Sequence, residues 1–214
     1  MADVLRFDGW ILGASFASGH TLVFGRWHDS PFGGFADLMR LDPDGARTLV
    51  APLAEVERFV DAHYRFDRVE RAPVAVEREG DRIVATAGDL TLELDVEGAG
   101  LVSLLLRLRP RPLRTWPAWI GIEDRVFRPL VAPFLGGGGM GGIHARGTTR
   151  AGARQWYGIH DLRWARARAR IGDRDLGASV APTGPAGFGA SEFPGRPALV
   201  RVTSLIERVG ADGS

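Results

Sequence analysis

The apolar residues of this chain come in short runs that are cut again and again by turn-forming residues, and that spacing constrains the fold more than any other feature. Ala17, Ser18 and Gly19 separate two runs within residues 7–27, and Asp42, Pro43, Asp44 and Gly45 separate residues 35–41 from 47–50. Pro at the second position of a turn and Gly at its close are the residues a β-turn demands, so both places read as hairpins. Further runs at residues 68–77, 82–87 and 89–96 are divided by Glu79, Gly80 and Asp81 and then by Gly88, which makes a meander. Later runs at 143–149, 153–157, 162–171, 176–180 and 198–206 continue the pattern, with Gly172, Asp173 and Arg174 turning the chain. Many short strands of this kind predict a mainly β, β-rich α+β chain whose curved antiparallel sheet closes into a barrel.

Two segments depart from the pattern. After Pro52, Leu53, Val56, Phe59, Val60 and His63 recur at helical spacing, with Glu55, Glu57, Arg58 and Asp61 on the remaining surface. This is the signature of one short amphipathic helix. Residues 101–135 combine leucines, arginines, prolines and two tryptophans without alternation and read as a helical insertion. There Thr115 is placed to cap a helix with Pro117 in its first turn, and Trp119, Ile122, Val126 and Leu130 would share one face. Gly136 to Gly142, broken only by Met140, reads as a connector. Its Gly-x-Gly-x-x-Gly match follows a helix and precedes a strand, the reverse of a dinucleotide site. The expected organisation is one barrel domain over residues 1–210 and a flexible tail at 211–214.

Absent residue types exclude whole chemistries. All 27 basic residues are Arg, and the sequence has no Lys, Cys or Asn. A Schiff base, a P-loop lysine, a thiol nucleophile, a disulfide and a zinc thiolate are therefore all ruled out. The five His are dispersed, so no metal site is expected, and no motif calls for a cofactor. The Arg, Ala, Gly and Asp bias fits a GC-rich, bacterial coding genome. Asp3, Arg6 and Asp8 interrupt the first eight residues, which lack a signal peptide's apolar run, and no run is long enough to span a bilayer. The expectation is a cytoplasmic protein with no integral membrane segment. Net charge is +1, which argues against nucleic acid as a partner. The charge is nonetheless divided: residues 1–100 carry 10 Arg against 18 carboxylates, and residues 101–214 carry 17 Arg against 8. Pairing between early and late strands is the plain explanation, and a homodimer stays open.

The densest group of chemically able residues is Arg154, Gln155, Trp156, Tyr157, Gly158, Ile159, His160 and Asp161. Alternation sends Arg154 and Trp156 to one face and Gln155 and Tyr157 to the other, while Gly158 permits a bulge that could redirect His160. An imidazole beside a carboxylate can give and take protons near neutral pH, which makes His160, Asp161 and Tyr157 the candidate catalytic residues. Arg154, Trp156, Trp10 and Phe35 are the candidate ligand-binding residues. In Trp164 to Ile171 the arginines 166, 168 and 170 alternate with Ala165, Ala167 and Ala169, so one strand face is basic and the other small and apolar.

Two pieces resemble the acetoacetate decarboxylase-like family: Asp29, Ser30, Pro31, Phe32, Gly33, Gly34, Phe35, and Gly152, Ala153, Arg154, Gln155, Trp156, Tyr157, Gly158. The resemblance implies a β-barrel with an interior ligand site. It also implies a Pro-Lys pair after the second piece, whose neighbourhood supplies that family's Schiff-base lysine. Here His160 and Asp161 stand in that place, so the family's decarboxylation mechanism does not carry over. A lipocalin-like barrel explains the strand count equally well. The leading functional expectation is a barrel binding a small, mainly apolar ligand with an anionic or polar group. A lysine-independent acid/base enzyme and an assembly protein with charge-split surfaces are the alternatives.

Overall fold

A computed structural model describes residues 3–126, 145–189 and 191–208. The strands are β1 (Val4–Phe16), β2 (Thr21–Asp29), β3 (Phe35–Leu41), β4 (Arg47–Ala51), β5 (Arg68–Arg71), β6 (Val74–Glu79), β7 (Arg82–Ala87) and β8 (Leu90–Val96). They continue with β9 (Arg146–Thr148), β10 (Arg154–Ile171), β11 (Arg174–Asp175), β12 (Ser179–Val180) and β13 (Ala198–Glu207). Helix α1 (Ala54–His63) follows β4, and α2 (Leu101–Leu108), a 3₁₀ turn (Arg111–Thr115) and α3 (Pro117–Val126) follow β8.

The fold is mainly β, one curled sheet in the order β5-β4-β3-β2-β1-β13-β10-β8-β7-β6. Its pairings are antiparallel except β4 with β5. The two edge strands of this order are consecutive in sequence. The run at 68–77 expected as one strand is divided at Ala72 and Pro73, where proline has no N–H to donate to a ladder. Residues before the break pair with β4 and residues after it pair with β7. The curled sheet is thus stitched edge to edge by the covalent chain, and β6 lies against β3.

A packed apolar cluster occupies the interior. Leu12 and Phe16 of β1, Leu22 and Phe24 of β2, Leu38 of β3, Ile83 of β7 and Leu92 and Leu94 of β8 form one buried cluster. Ala165, Ala167 and Ala169 face this cluster, and Arg166, Arg168 and Arg170 face solvent. The small alanines on β10 are matched by large residues of the facing strands, which fill the space between them. Opposite Arg166 and Arg168 in the register stand Asp95 and Glu93 of β8, and Glu93 makes its ion pair with Arg82 of β7.

Outside the sheet, α1 buries Val56 and Val60 against Phe7, Phe35 and Leu49. Among the described residues, β10 has β8 beside residues 165–171 and β9 beside residues 154–156, and neither strand pairs with residues 158–163. Helix α2 packs against β10, with Val102 and Leu106 near Leu162, Val200 and Val202. The helical insertion therefore stands beside an open strand edge, one way to protect unpaired backbone. Its internal details differ from expectation. Thr115 ends the 3₁₀ turn instead of capping α3, and Ile120 is buried while Ile122 is 50% exposed. Residues 136–142 and 211–214, read as connector and tail, lie outside the described residues.

Truncating Phe24, fully buried in the interior cluster, to Ala is expected to cost about 3–5 kcal/mol in urea unfolding. Arg168→Ser on the outward face should stay within about 0.5 kcal/mol of the parent. Equal effects of the two substitutions would contradict the inward and outward assignment of β2 and β10.

Candidate functional site

Beyond Leu12 and Leu199 the barrel interior changes from apolar to polar, and a cleft of about 410 Å³ opens there. Its wall is built by Asp8 and Trp10 of β1, His28 of β2, Arg78 of β6, Arg107 of α2, His160, Asp161 and Arg163 of β10, and Leu199 and Arg201 of β13. The register explains how two neighbours on one strand both reach it. Ile159 pairs with Val202 and Asp161 with Arg201, so His160 is the extra residue of a β-bulge. An unbroken strand would have sent His160 and Asp161 to opposite faces; the bulge lets both line the cleft. Gly158 serves a different need from the one expected. It is not the bulged residue; the carbonyl oxygen of Arg114 in the 3₁₀ turn occupies the space a side chain would need.

Two hydrogen-bonded groups divide the cleft. In the first, His160 Nε2 lies 2.7 Å from Thr203 Oγ1, and the Thr203 hydroxyl donates to Asp8 Oδ1. Asp8 also accepts from Arg6 Nε at 2.5 Å. In the second, Asp161 accepts from the hydroxyl of Ser103 and from Arg107 at 2.6 Å, with Arg163 Nε at 3.4 Å. Trp10 forms the apolar wall, with the Arg78 guanidinium 5.1 Å above its ring and His28 edge-on at 4.8 Å.

These contacts set the protonation states. Burial, then the charges of Arg201 and Arg114, push the His160 imidazole down to about 4 against a smaller opposing pull from Asp8. His28 is lowered by burial and by Arg26 and Arg201. Burial works to raise both carboxyls, but hydrogen bonds from Arg6 and Thr203 hold Asp8 below its ordinary value, and those from Arg107 and Ser103 do the same for Asp161. At neutral pH the cleft thus presents neutral His160, two carboxylates and four arginines. Arg107 and Arg163 are held by Asp161. Arg201 is exposed, and its guanidinium has no hydrogen bond or ion pair among the described residues.

The residues singled out in the sequence fall into three places. His160, Asp161 and Trp10 come together in the cleft. Tyr157 lies on the opposite side of β10, where its hydroxyl is 3.4 Å from that of Tyr64. Phe35 is buried near Phe7 and Phe32 under α1, and Arg154 makes a two-pronged ion pair with Glu207 at 2.7 Å while lying over Trp156 at 5.7 Å. Neither His160 nor Asp161 completes the other: His160 is held by Thr203, and Asp161 by Ser103 and arginines. Sequence reasoning missed Asp8, Thr203, Arg201, Arg78 and His28, which reach the cleft from four separate strands. Asp8 left a weaker signal, as a carboxylate between Phe7 and Trp10 in a segment that also carries Asp3 and Arg6.

A second signal of that kind was also missed. Asp37 sits within Phe35 to Leu41 and is 2% exposed, its carboxylate receiving the indole N–H of Trp27 at 3.0 Å. Nearby, Gln155 donates to Tyr64 at 2.6 Å and to Ser204 at 3.1 Å. Burial pushes the Asp37 carboxyl up to about 7, against a smaller lowering by Trp27. A raised folded pKa means that the native state holds a proton the unfolded chain has released, so stability falls as pH rises from about 4 to about 7 and then levels off. Asp37→Asn, which keeps an acceptor for Trp27, should raise the denaturant midpoint at pH 8 and leave it nearly unchanged at pH 4. An equal gain at both pH values would mean that Asp37 is ionised throughout.

No protein-family model and no curated protein matches the sequence. Among solved structures, an acetoacetate decarboxylase superposes over 96% of this chain and 87% of its own, with a TM-score of 0.50 and 7% identity. An acetoacetate decarboxylase from Legionella pneumophila subsp. pneumophila covers 98% and 86%, with a TM-score of 0.41 and 10% identity. The fold is that of acetoacetate decarboxylase-like barrels, while this chain has Asp161, in ion pairs, near the place where the sequence resemblance implies a lysine.

Proposed function

We propose that the protein binds a small carboxylate in the cleft at the barrel mouth, with Arg201 as its counter-charge. The observation that carries this reading is the unequal state of the four cleft arginines: Asp161 holds Arg107 and Arg163, Arg78 donates to the Gly80 carbonyl and lies over Trp10, and Arg201, opposite Trp10 in the register, has neither hydrogen bond nor ion pair among the described residues. A guanidinium presents two parallel N–H donors that match a carboxylate. The apolar part of the ligand is short in this reading. The interior cluster fills the barrel behind Leu12 and Leu199, leaving Trp10, Leu199 and Val202 as the apolar contacts. The ligand of this reading is compact and polar, with a smaller apolar part than the one expected from the sequence.

A second reading, self-association, rests on α2. Leu101, Leu104, Leu105 and Leu108 lie at one-turn spacing and are 49–71% exposed. Two copies of such a stripe can cover each other about a two-fold axis.

Isothermal titration with acetate and propionate is expected to show binding that Arg201→Ala weakens at least tenfold, a loss of about 1.4 kcal/mol. Arg168→Ala, from the outward arginine row, should leave it unchanged. Equal affinity of the Arg201 variant and the parent would overturn the cleft reading. Sedimentation analysis of Leu104→Glu/Leu108→Glu should give a smaller species than the parent; a monomeric parent would dispose of self-association.

A further inference from the structure

We infer that the ligand of this cleft is a hydroxy acid, a small carboxylate whose own hydroxyl donates to Nδ1 of His160 while its carboxylate meets Arg201. The inference rests on the carboxylate reading above and adds the second functional group.

The argument follows from counting protons along one hydrogen-bonded chain. Asp8, held as a carboxylate by Arg6, can only accept. Thr203 has a single hydroxyl proton, and that proton points to Asp8. Its oxygen, fully buried, therefore has only lone pairs to offer His160 Nε2, 2.7 Å away. The proton of that bond must belong to the imidazole. Neutral His160 is thereby fixed as the Nε2–H tautomer, and the other ring nitrogen is left as a bare acceptor.

No described group donates to Nδ1. The cationic groups nearest in charge terms are Arg201, Arg114 and Arg109, which oppose protonation of the ring instead of satisfying it. A ligand that brought only a carboxylate would set its lone pairs toward the lone pair of Nδ1. One that brings a hydroxyl turns the same contact into a hydrogen bond. The chain Asp8, Thr203, His160 then polarises that hydroxyl, because its negative end lies at Asp8 and every donor in it points the same way. Thr203 is a positioning residue here: it acts on the ligand only through the tautomer it imposes.

The test compares acids that differ by one hydroxyl: glycolate with acetate, lactate with propionate, and 3-hydroxybutyrate with butyrate. At least one hydroxy member is expected to bind about tenfold tighter than its partner at neutral pH. His160→Ala should erase the difference. Thr203→Val should also reduce the difference, and imidazole ¹⁵N shifts should show the His160 proton on Nε2 in the parent and redistributed in the variant. If carboxylates bind through Arg201 but every pair is equal, the hydroxyl inference fails and the carboxylate reading stands. If Arg201→Ala changes nothing, both fail. Should His160→Ala not fold, a parent spectrum with the proton on Nδ1 is by itself enough to overturn the tautomer argument.

Discussion

The ladder between β10 and β13 is the interaction on which the remaining structure depends. Strand β10 runs for 18 residues, and its second half pairs with β8 while its whole middle pairs with β13. It joins the half of the sheet made by β1 to β5 to the half made by β6 to β8. A strand in this position must keep its inward face consistent along its length, or the interior cluster would lose its alanines to solvent. The one register shift, at His160, separates an outer stretch that includes Gln155 and Tyr157 from an inner row that runs from Asp161 through Arg163 to Ala169. The bulge is therefore where the barrel changes from packed core to polar mouth.

Electrostatics follow from that placement. Inside a partly closed mouth, four arginines without counter-charges would repel one another at little screening. Asp161 takes up two of them, and the Ser103 hydroxyl completes its coordination from α2. Burial, and after it the charges of Arg201, Arg114 and Arg109, keep the His160 imidazole neutral and so an acceptor over the neutral range.

The helical insertion links the cleft to the outer surface. Helix α2 lies beside the stretch of β10 without strand neighbours, contributes Ser103 and Arg107 to the cleft side, and turns Val102 and Leu106 toward the sheet. Its remaining leucines face outward, so any contact they make with another surface bears on the position of Arg107 and, through it, Asp161.

How much of this was legible in the sequence depends on the distance between the residues concerned. The turns at Asp42 to Gly45, Gly80, Gly88 and Gly172 were readable because φ restrictions are properties of single residues, and α1 was readable because 3.6-residue periodicity is local. The exclusion of lysine and thiol chemistry needed only the composition. The alternation of Arg and Ala in β10 showed two unlike faces, but which face met the core was settled by Leu38, Ile83 and Leu92 from other strands. The structure divides the candidate cluster around His160 for the same reason: a bulge, whose position depends on the partner strand, moved His160 beside Asp161 and left Tyr157 behind with Tyr64. Asp8, Thr203 and Arg201 come from β1 and β13, almost two hundred residues apart in sequence, and no local pattern links them. Sequence alone determined which side chains were available and where the backbone could bend. Tertiary structure decided which of them share a hydrogen bond, because a proton position and a buried charge depend on neighbours that only the sheet register brings within reach.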